Sequence, residues 1–408
     1  MRGCAGGAVA QKSEGKLMNR RNDPAKTVAL SEEDEEESGI EEQSGVEVER
    51  EEPGLTIVRP FDPEKIKVKT KAALVESVVS RIAHGEIDLA PDFQRHAGIW
   101  NAVRKARLVE SLLLRIPLPV FYVAADANEN WSVVDGLQRM TTINDFVNGR
   151  FVLSDLEYLT QLNGHKYEDL PRPMQRRIRE TELVVHVIEP GTPEEVMFNI
   201  FSRINTGGMR LNGQEIRHAL HKGPARDYLK RLVATNEFLD ATVRSIRPDR
   251  MADRECALRF LAFRITPWEE YKANDFDGFL SEAMKKLNQM SQEDRDRLKR
   301  EFCRSMQAAR AIFGDDAFRK RYTEGAARNP ISKALFEAWS VALARCNDDE
   351  IRRLVRIKDR IKLNFIQLMI ADHSFDVSIS YATGVPQRVE KRFQAIGALA
   401  RNALERNA

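Results

Sequence analysis

Two kinds of hydrophobic pattern divide this chain. Between about residues 55 and 212, short β-branched and aromatic segments alternate with amphipathic helical ones. From about 215 to 405 the strand pattern stops, and segments such as "RECALRFLAFRIT", "SKALFEAWSVALARC" and "RIKLNFIQLMIA" carry helical periods only. That order predicts an α+β architecture: an α/β domain over 55–212 followed by an α-helical domain over 213–408. No fixed-period repeat of the solenoid kind runs through it.

Residues 1–54 belong to neither part. They end in "LSEEDEEESGIEEQSGVEVEREE" before Pro53-Gly54, lack aromatic residues and hold no sustained apolar period, so they are expected to be a disordered acidic tail. Residues 1–52 carry 14 acids against 7 bases, and the remainder of the chain is correspondingly basic. A basic body is compatible with nucleotide or DNA partners. The four cysteines (Cys4, Cys256, Cys303 and Cys346) stand far apart with no CxxC pair, which argues against a zinc knuckle or a disulfide framework. No apolar run is long enough to cross a bilayer, and "MRGCAGGAVAQKSEGK" lacks a signal peptide's apolar centre. A cytoplasmic setting with no membrane partner is expected.

Within the first part, "KAALVESVVSRIAHG" places Leu74, Val75, Val78, Val79 and Ile82 on one helical face, with Gly85 as a stop. "IDLAPDFQR" reads as a short strand entering a polar turn, and "NAVRKARLVESLLLRIP" as a helix opened by Asn101. "PVFYVAAD" and "WSVVDG" read as a hairpin across "NEN", and "TELVVHVIE" as a further buried strand. Thr192, Pro193 and Glu195 read as cap, first position and capping box of a helix. Asn212 and Glu215 form a second box, with Leu211 and Ile216 as its hydrophobic staple.

The chemistry concentrates in "VVDGLQRMTTI", residues 133–143. If "WSVVDG" is a strand and "TTINDFVNG" a helix, Asp135 to Thr142 lie where free amides and the helix dipole favour an anion. Arg139 could then pair with a phosphate, and the hydroxyls of Thr141 and Thr142 could donate to it. Asp135 is the candidate to hold Mg²⁺ or a water. The same turn also serves simply to start a helix.

Three stretches together resemble one family. "PDFQRHAGIW" is similar to its first signature, a Gln-Arg pair near a tryptophan. "VVDGLQRMTTI" is similar to its hallmark, D-G-Q-Q-R-x-T-T, and "FSRINTGGMRLNGQEIR" to its third signature, F-x-x-x-N-x-G-x-x-L-x-x-x-E-[IL]-R. This is the family of the GmrSD-type restriction endonuclease N-terminal domain. The likeness covers roughly residues 60–220, and "YATGVPQRVEKRF" is similar to the family's closing pattern.

The resemblance implies a ParB/sulfiredoxin-like fold and a nucleotide-binding, NTP-hydrolysing component of a restriction or phage-defence system, with NTP and Mg²⁺ as its cofactors. Carried over by residue, it implicates Asp135, Gln138 and Arg139 in catalysis. Gln94, Arg95, Gly136, Thr141, Thr142, Asn205 and Gly207 are implicated in nucleotide binding, with Glu215 and Arg217 alongside. Leu137 departs from the hallmark's first glutamine, which matters unless its side chain points into the core. The alternative is a nucleotide-responsive switch or DNA-binding module without turnover. A third reading, metal-dependent nicking at Asp135, would need Asp92 or Glu215 as a second ligand. No His-Asn-His nuclease pattern is found, so a partner nuclease subunit is expected. His218 and His221 lack a third ligand and read as packing residues. "RPMQRRIRE" and "RLVRIKDRIK" read first as solvated faces, and Trp100, Trp268 and Trp339 as packing residues.

Overall fold

A computed structural model describes residues 45–49, 67–89, 100–204, 211–272 and 274–405. Its first part contains strands β1 (Val68–Leu74), β2 (Ile87–Asp88), β3 (Phe121–Ala125), β4 (Trp131–Asp135) and β5 (Glu182–Ile188). Between and after them run helices α1 (Val75–Ala83), α2 (Ala102–Leu113), α3 (Leu137–Val147), α4 (Arg172–Arg179), α5 (Glu194–Ile204) and α6 (Gly213–Leu220). The strands form one five-stranded mixed sheet in the order β1-β5-β3-β4-β2. β1 pairs antiparallel with β5, β5 parallel with β3, β3 antiparallel with β4, and β4 parallel with β2.

Both faces of the sheet are covered. α1 to α4 pack on one through Val75, Val109, Ile143 and Ile178 against Phe121, Val133 and Val185. α5 and α6 cover the other, where Phe201 and Ile216 join Ala124, Val134 and Ile188. Leu211 packs on that cluster beside Ile216, as the staple spacing predicts. The β3–β4 hairpin and strand β5 also form as expected. Asn101 caps α2 by accepting from the Arg104 amide at 2.8 Å, and Asn212 with Glu215 forms the second capping box.

Some expectations are corrected. Lys71 to Leu74 extend β1 rather than begin a helix, because β5 offers a ladder from Val68↔Ile188 to Leu74↔Glu182. Of the "IDLAPDFQR" strand only Ile87–Asp88 is described as strand, and residues 90–99 lie outside the described residues. α5 begins at Glu194, one residue after the expected Pro193, with its first bond to the Pro193 carbonyl, and the Thr192 hydroxyl donates to Glu189 O.

The second part is helical: α7 (Pro224–Val233), α8 (Asn236–Ala241), α9 (Ala252–Ile265), α10 (Phe276–Gln289), α11 (Gln292–Phe313), α12 (Lys333–Arg345), α13 (Asp348–Arg356), α14 (Lys358–Ala371), α15 (His373–Ser378) and α16 (Pro386–Glu405). α9 is buried without interruption from Ala252 to Phe263, so it is the axis around which the other helices pack. Its charged residues are paired inside. Glu255 accepts from Lys333 at 3.1 Å and from Arg259 at 2.7 Å, and the fully buried Arg392 of α16 pairs with the fully buried Glu337 of α12.

The tail expectation also changes. Residues 45–49 are docked on the helical part, while 1–44 and 50–54 lie outside the described residues. The Ile331 amide donates to Gly45 O, the Glu47 amide donates to Ile331 O, Lys320 pairs with Glu47 at 2.5 Å, and Glu49 receives both terminal nitrogens of Arg259. Gly45 has φ +79°, and a Cβ there would stand 1.8 Å from Ser245 O, so the close approach needs glycine. Charge, which suggested a solvated segment, helps to dock it: each acid meets a buried base, and Val46 between them enters the apolar core.

Candidate functional site at the strand-to-helix corner

β4 ends at Asp135, and the chain turns at Gly136 into α3. The turn requires glycine, because its φ is +89° and a Cβ would lie 2.4 Å from Cδ1 of the buried Phe121. Opposite, the β3–β4 register slips: Tyr122 faces Asp135 while Val123 faces Val133, leaving Val134 unopposed. Such a bulge re-aims the residues beside it, and here it sets the direction of Asp135.

α3 begins at Leu137, four residues earlier than a start near Thr141. Its first bond runs from the Met140 amide to Gly136 O, so the amides of the first turn have no intrahelical acceptor and add the positive end of the dipole to the corner. Thr141 and Thr142 consequently sit a turn inside. Thr141 is partly buried, whereas Thr142 is wholly buried and its hydroxyl meets no hydrogen-bond partner among the described residues. Gln138 is partly buried in the first turn. Leu137 is 4% exposed and packs in the apolar cluster under the sheet, so its side chain does point into the core.

Arg139 bends back over the turn. Its Nη2 donates to Asp135 Oδ2 at 2.8 Å and to Val120 O at 3.2 Å, its Nη1 donates to Pro119 O, and the guanidinium lies 4.5 Å from the Phe121 ring centroid. The pair is mostly withdrawn from water, with the Arg139 and Asp135 side chains 11% and 20% exposed. Burial pushes the Asp135 carboxyl above the usual aspartate range, against the pull of Arg139 and the Gly136 amide. Burial likewise lowers Arg139, against the pull of Asp135. Both charges are thus held in a setting that disfavours them, a condition enriched at functional sites.

Gln94 and Arg95 of the first signature, and Asn205 and Gly207 of the third, lie outside the described residues, as does Asp92. β2 runs parallel beside β4, with Asp88 opposite Ser132, so the two strands run toward the same end of the sheet. The remaining signature residues join the two parts of the molecule. Glu215 is 3% exposed; its carboxylate accepts the Asn212 amide at 2.8 Å and pairs with Arg250 at 3.2 Å. Arg217, 1% exposed, donates to Asp277 of α10 at 2.5 Å and to Gln214 at 3.0 Å. The two therefore pair across the domain junction. Arg226 adds a link to Asp88 of β2 at 2.9 Å, which the sequence patterns gave no reason to single out.

A scan against family models decides what this domain is. Residues 75–222 match the model described as the GmrSD restriction endonuclease N-terminal domain. The α/β part is a GmrSD N-terminal domain. The GmrSD match opens where α1 opens and closes just after α6, so the helix packed on the second face of the sheet falls within it and edge strand β1 just before it. No curated protein matches the chain.

The other candidates in and around the GmrSD domain take structural places. His218 and His221 are buried, and among the described residues no group of three His, Cys, Asp or Glu side chains is arranged to hold a metal. Arg177 of α4 donates to Leu113 O at 2.7 Å, and Arg179 pairs with Glu76 at 2.9 Å. Trp339 is buried against Phe313 and Phe365. Among the described residues no helix is long and apolar enough to cross a membrane.

Proposed function

We propose that this chain is a nucleotide-responsive component of a restriction or phage-defence system, with the β4–α3 corner as its phosphate site and NTP hydrolysis as its activity. The observation that carries the reading is the largely buried Asp135–Arg139 pair beside the first-turn amides of α3. Amides and dipole draw an anion to such a place, and a guanidinium recognises phosphate with two parallel donors. A ParB/sulfiredoxin-like ancestry of the sheet belongs to the same reading.

The pair also dictates a condition for binding. Drawing Arg139 toward a phosphate strands Asp135, and leaving one buried charge without its partner costs about 3–5 kcal/mol. A Mg²⁺ ion held by Asp135 would offset that cost. It is commonly bound through one or two carboxylates together with substrate phosphates and its own waters, so Asp135 suffices on the protein side. Nucleotide and Mg²⁺ are therefore expected to bind together and only weakly apart. Gln138 flanks the site, and the family resemblance adds Gln94, Arg95, Asn205 and Gly207 as nucleotide-binding residues. Thr142, wholly buried, serves the packing of α3, and Thr141 is left as the one hydroxyl candidate. Glu215 is committed to Asn212 and Arg250, which disfavours a two-carboxylate nicking centre. The helical part is assigned to DNA or a partner nuclease subunit.

One observation favours a second reading. Arg139 also grips the Pro119 and Val120 carbonyls, so a ligand that draws it away releases the chain entering β3, a switch that needs no turnover. Titrating ATP, GTP, CTP and UTP with and without Mg²⁺, with phosphate release scored in the same samples, separates the two. Saturable Mg²⁺-dependent binding, weakened at least tenfold in Asp135→Asn, is expected. A folded Asp135→Asn protein that bound and turned over nucleotide with the parent's Mg²⁺ requirement would remove the assignment. Release above one equivalent supports the enzyme, and binding without release supports the switch. Because the carboxyl of Asp135 is raised, Mg²⁺-dependent binding should fall on acidification at a pH above the usual aspartate range, and Asp135→Asn should lose that component of the pH profile.

A further inference from the structure

The helical part has a concavity of its own. A cavity of about 430 Å³ opens between the first turn of α16 and residues 268–272 with Asn274, lined by Trp268, Tyr271, Lys272, Asn274, Gln387 and Glu390. Its size is that of a small-molecule site.

One wall comes from "YATGVPQRVEKRF", and the structure explains much of that segment. Thr383 donates to Glu49 at 2.7 Å, and Arg392 donates to the Thr383 carbonyl at 2.7 Å besides pairing with Glu337. Gly384 O accepts the Tyr271 hydroxyl at 2.6 Å. Phe393 backs the Trp268 indole, near-parallel at 15° with centroids 6.0 Å apart. These contacts hold two aromatic side chains in place at the cavity. Packing leaves the polar lining over. Lys272, Asn274 and Gln387 are exposed and their side chains enter no hydrogen bond of the described structure, and Glu390 is held by Gln394 at 2.9 Å. Pro386 opens α16, so the Gln387 amide in that first turn has no intrahelical carbonyl to bond.

A backed indole offers a flat apolar surface, while two amides, an ammonium and a carboxylate around it offer both donors and acceptors. A purely apolar ligand would leave those groups unmatched, and a simple anion would face Glu390 and waste the indole. We infer that this cavity binds a nucleobase, stacked on Trp268 and hydrogen-bonded at its edge by Asn274, Gln387 and Glu390, with Lys272 toward the sugar-phosphate side. The inference goes beyond the corner site and does not depend on it. The base could belong to a free nucleoside or to a nucleotide everted from a DNA strand.

The full-length protein tests it with two probes: 2-aminopurine deoxyriboside, which has no phosphate for the corner to hold, and a DNA duplex with 2-aminopurine in a single-base bulge. Saturable quenching of at least one probe is expected. Stacking on one aromatic ring predicts binding about tenfold weaker in Trp268→Leu and largely recovered in Trp268→Phe. Loss of one polar contact predicts a change of about threefold to tenfold in Gln387→Ala or Lys272→Ala, both exposed positions that leave folding intact. Asp135→Asn should quench as the parent does, which separates this site from the corner. Quenching of the deoxyriboside marks a free-nucleoside pocket, and quenching of the bulged duplex alone marks a base drawn from DNA. No quenching of either probe, or equal quenching in the parent, Trp268→Leu and Gln387→Ala, overturns the inference.

Discussion

Leu137 occupies the place of a glutamine in the related hallmark, and its burial decides what that exchange means. The residue meets the core beneath the sheet, so an amide there would lose water without gaining a partner in that cluster. Leu137→Gln is expected to cost about 1–3 kcal/mol in a denaturant titration and to leave nucleotide affinity unimproved. A tighter-binding Leu137→Gln protein would show that the amide reaches the ligand. Gly136 is bound by a different constraint. Alanine there meets both a left-handed backbone and the Phe121 ring, so Gly136→Ala should lose at least about 1–2 kcal/mol, read as a lowered denaturation midpoint.

Single elements show how much of the molecule was legible in the sequence. The hairpin, β5 and the Asn101 and Asn212 caps could be read because each depends on residues within a few positions. The corner was legible as well, since Asp-Gly after a β-branched run marks a turn whatever lies around it. β1 was not, because its Lys71 to Leu74 continue the apolar spacing of α1 and become strand only by pairing with β5, more than a hundred residues away. The bulge at Val134 and the return of Arg139 to Pro119 were hidden for the same reason: both belong to a pairing, not to a segment. Helices α12 and α16 carry an analogous long-range device in Glu337 and Arg392. Breaking it from one side by Arg392→Met should cost about 3–5 kcal/mol, and adding Glu337→Leu to that variant should recover part of the loss. Thermal melts of the two variants and the parent give the comparison.

The whole molecule is tied together by charge at its junctions. Arg217 to Asp277, Glu215 to Arg250 and Arg226 to Asp88 cross between the sheet domain and the helical part, and Glu49 reaches Arg259 from the far side of the sequence. Burial works to raise the Glu49 carboxyl, but Arg259 and Lys333 outweigh it and hold it below the ordinary glutamate range. A depressed carboxylate gives stability that is present above its unfolded pKa near 4.5 and is lost as pH falls through the lower folded value. The stability gap between the parent and Glu49→Gln should therefore be widest near neutral pH and close on acidification below about pH 4.5, which melts across pH 3–7 would show.

The docked segment 45–49 has a consequence for synthesis. It leaves the ribosome before any of the sheet domain, yet Arg259, Lys320, Ile331 and Thr383, its partners, are made up to more than three hundred residues later. Domains generally fold as units in order of emergence, so the sheet domain can be complete while this segment still waits. The helical part is thus closed by a stretch made before the sheet domain, and a chain released early would carry the acids of 45–49 with nothing to meet them.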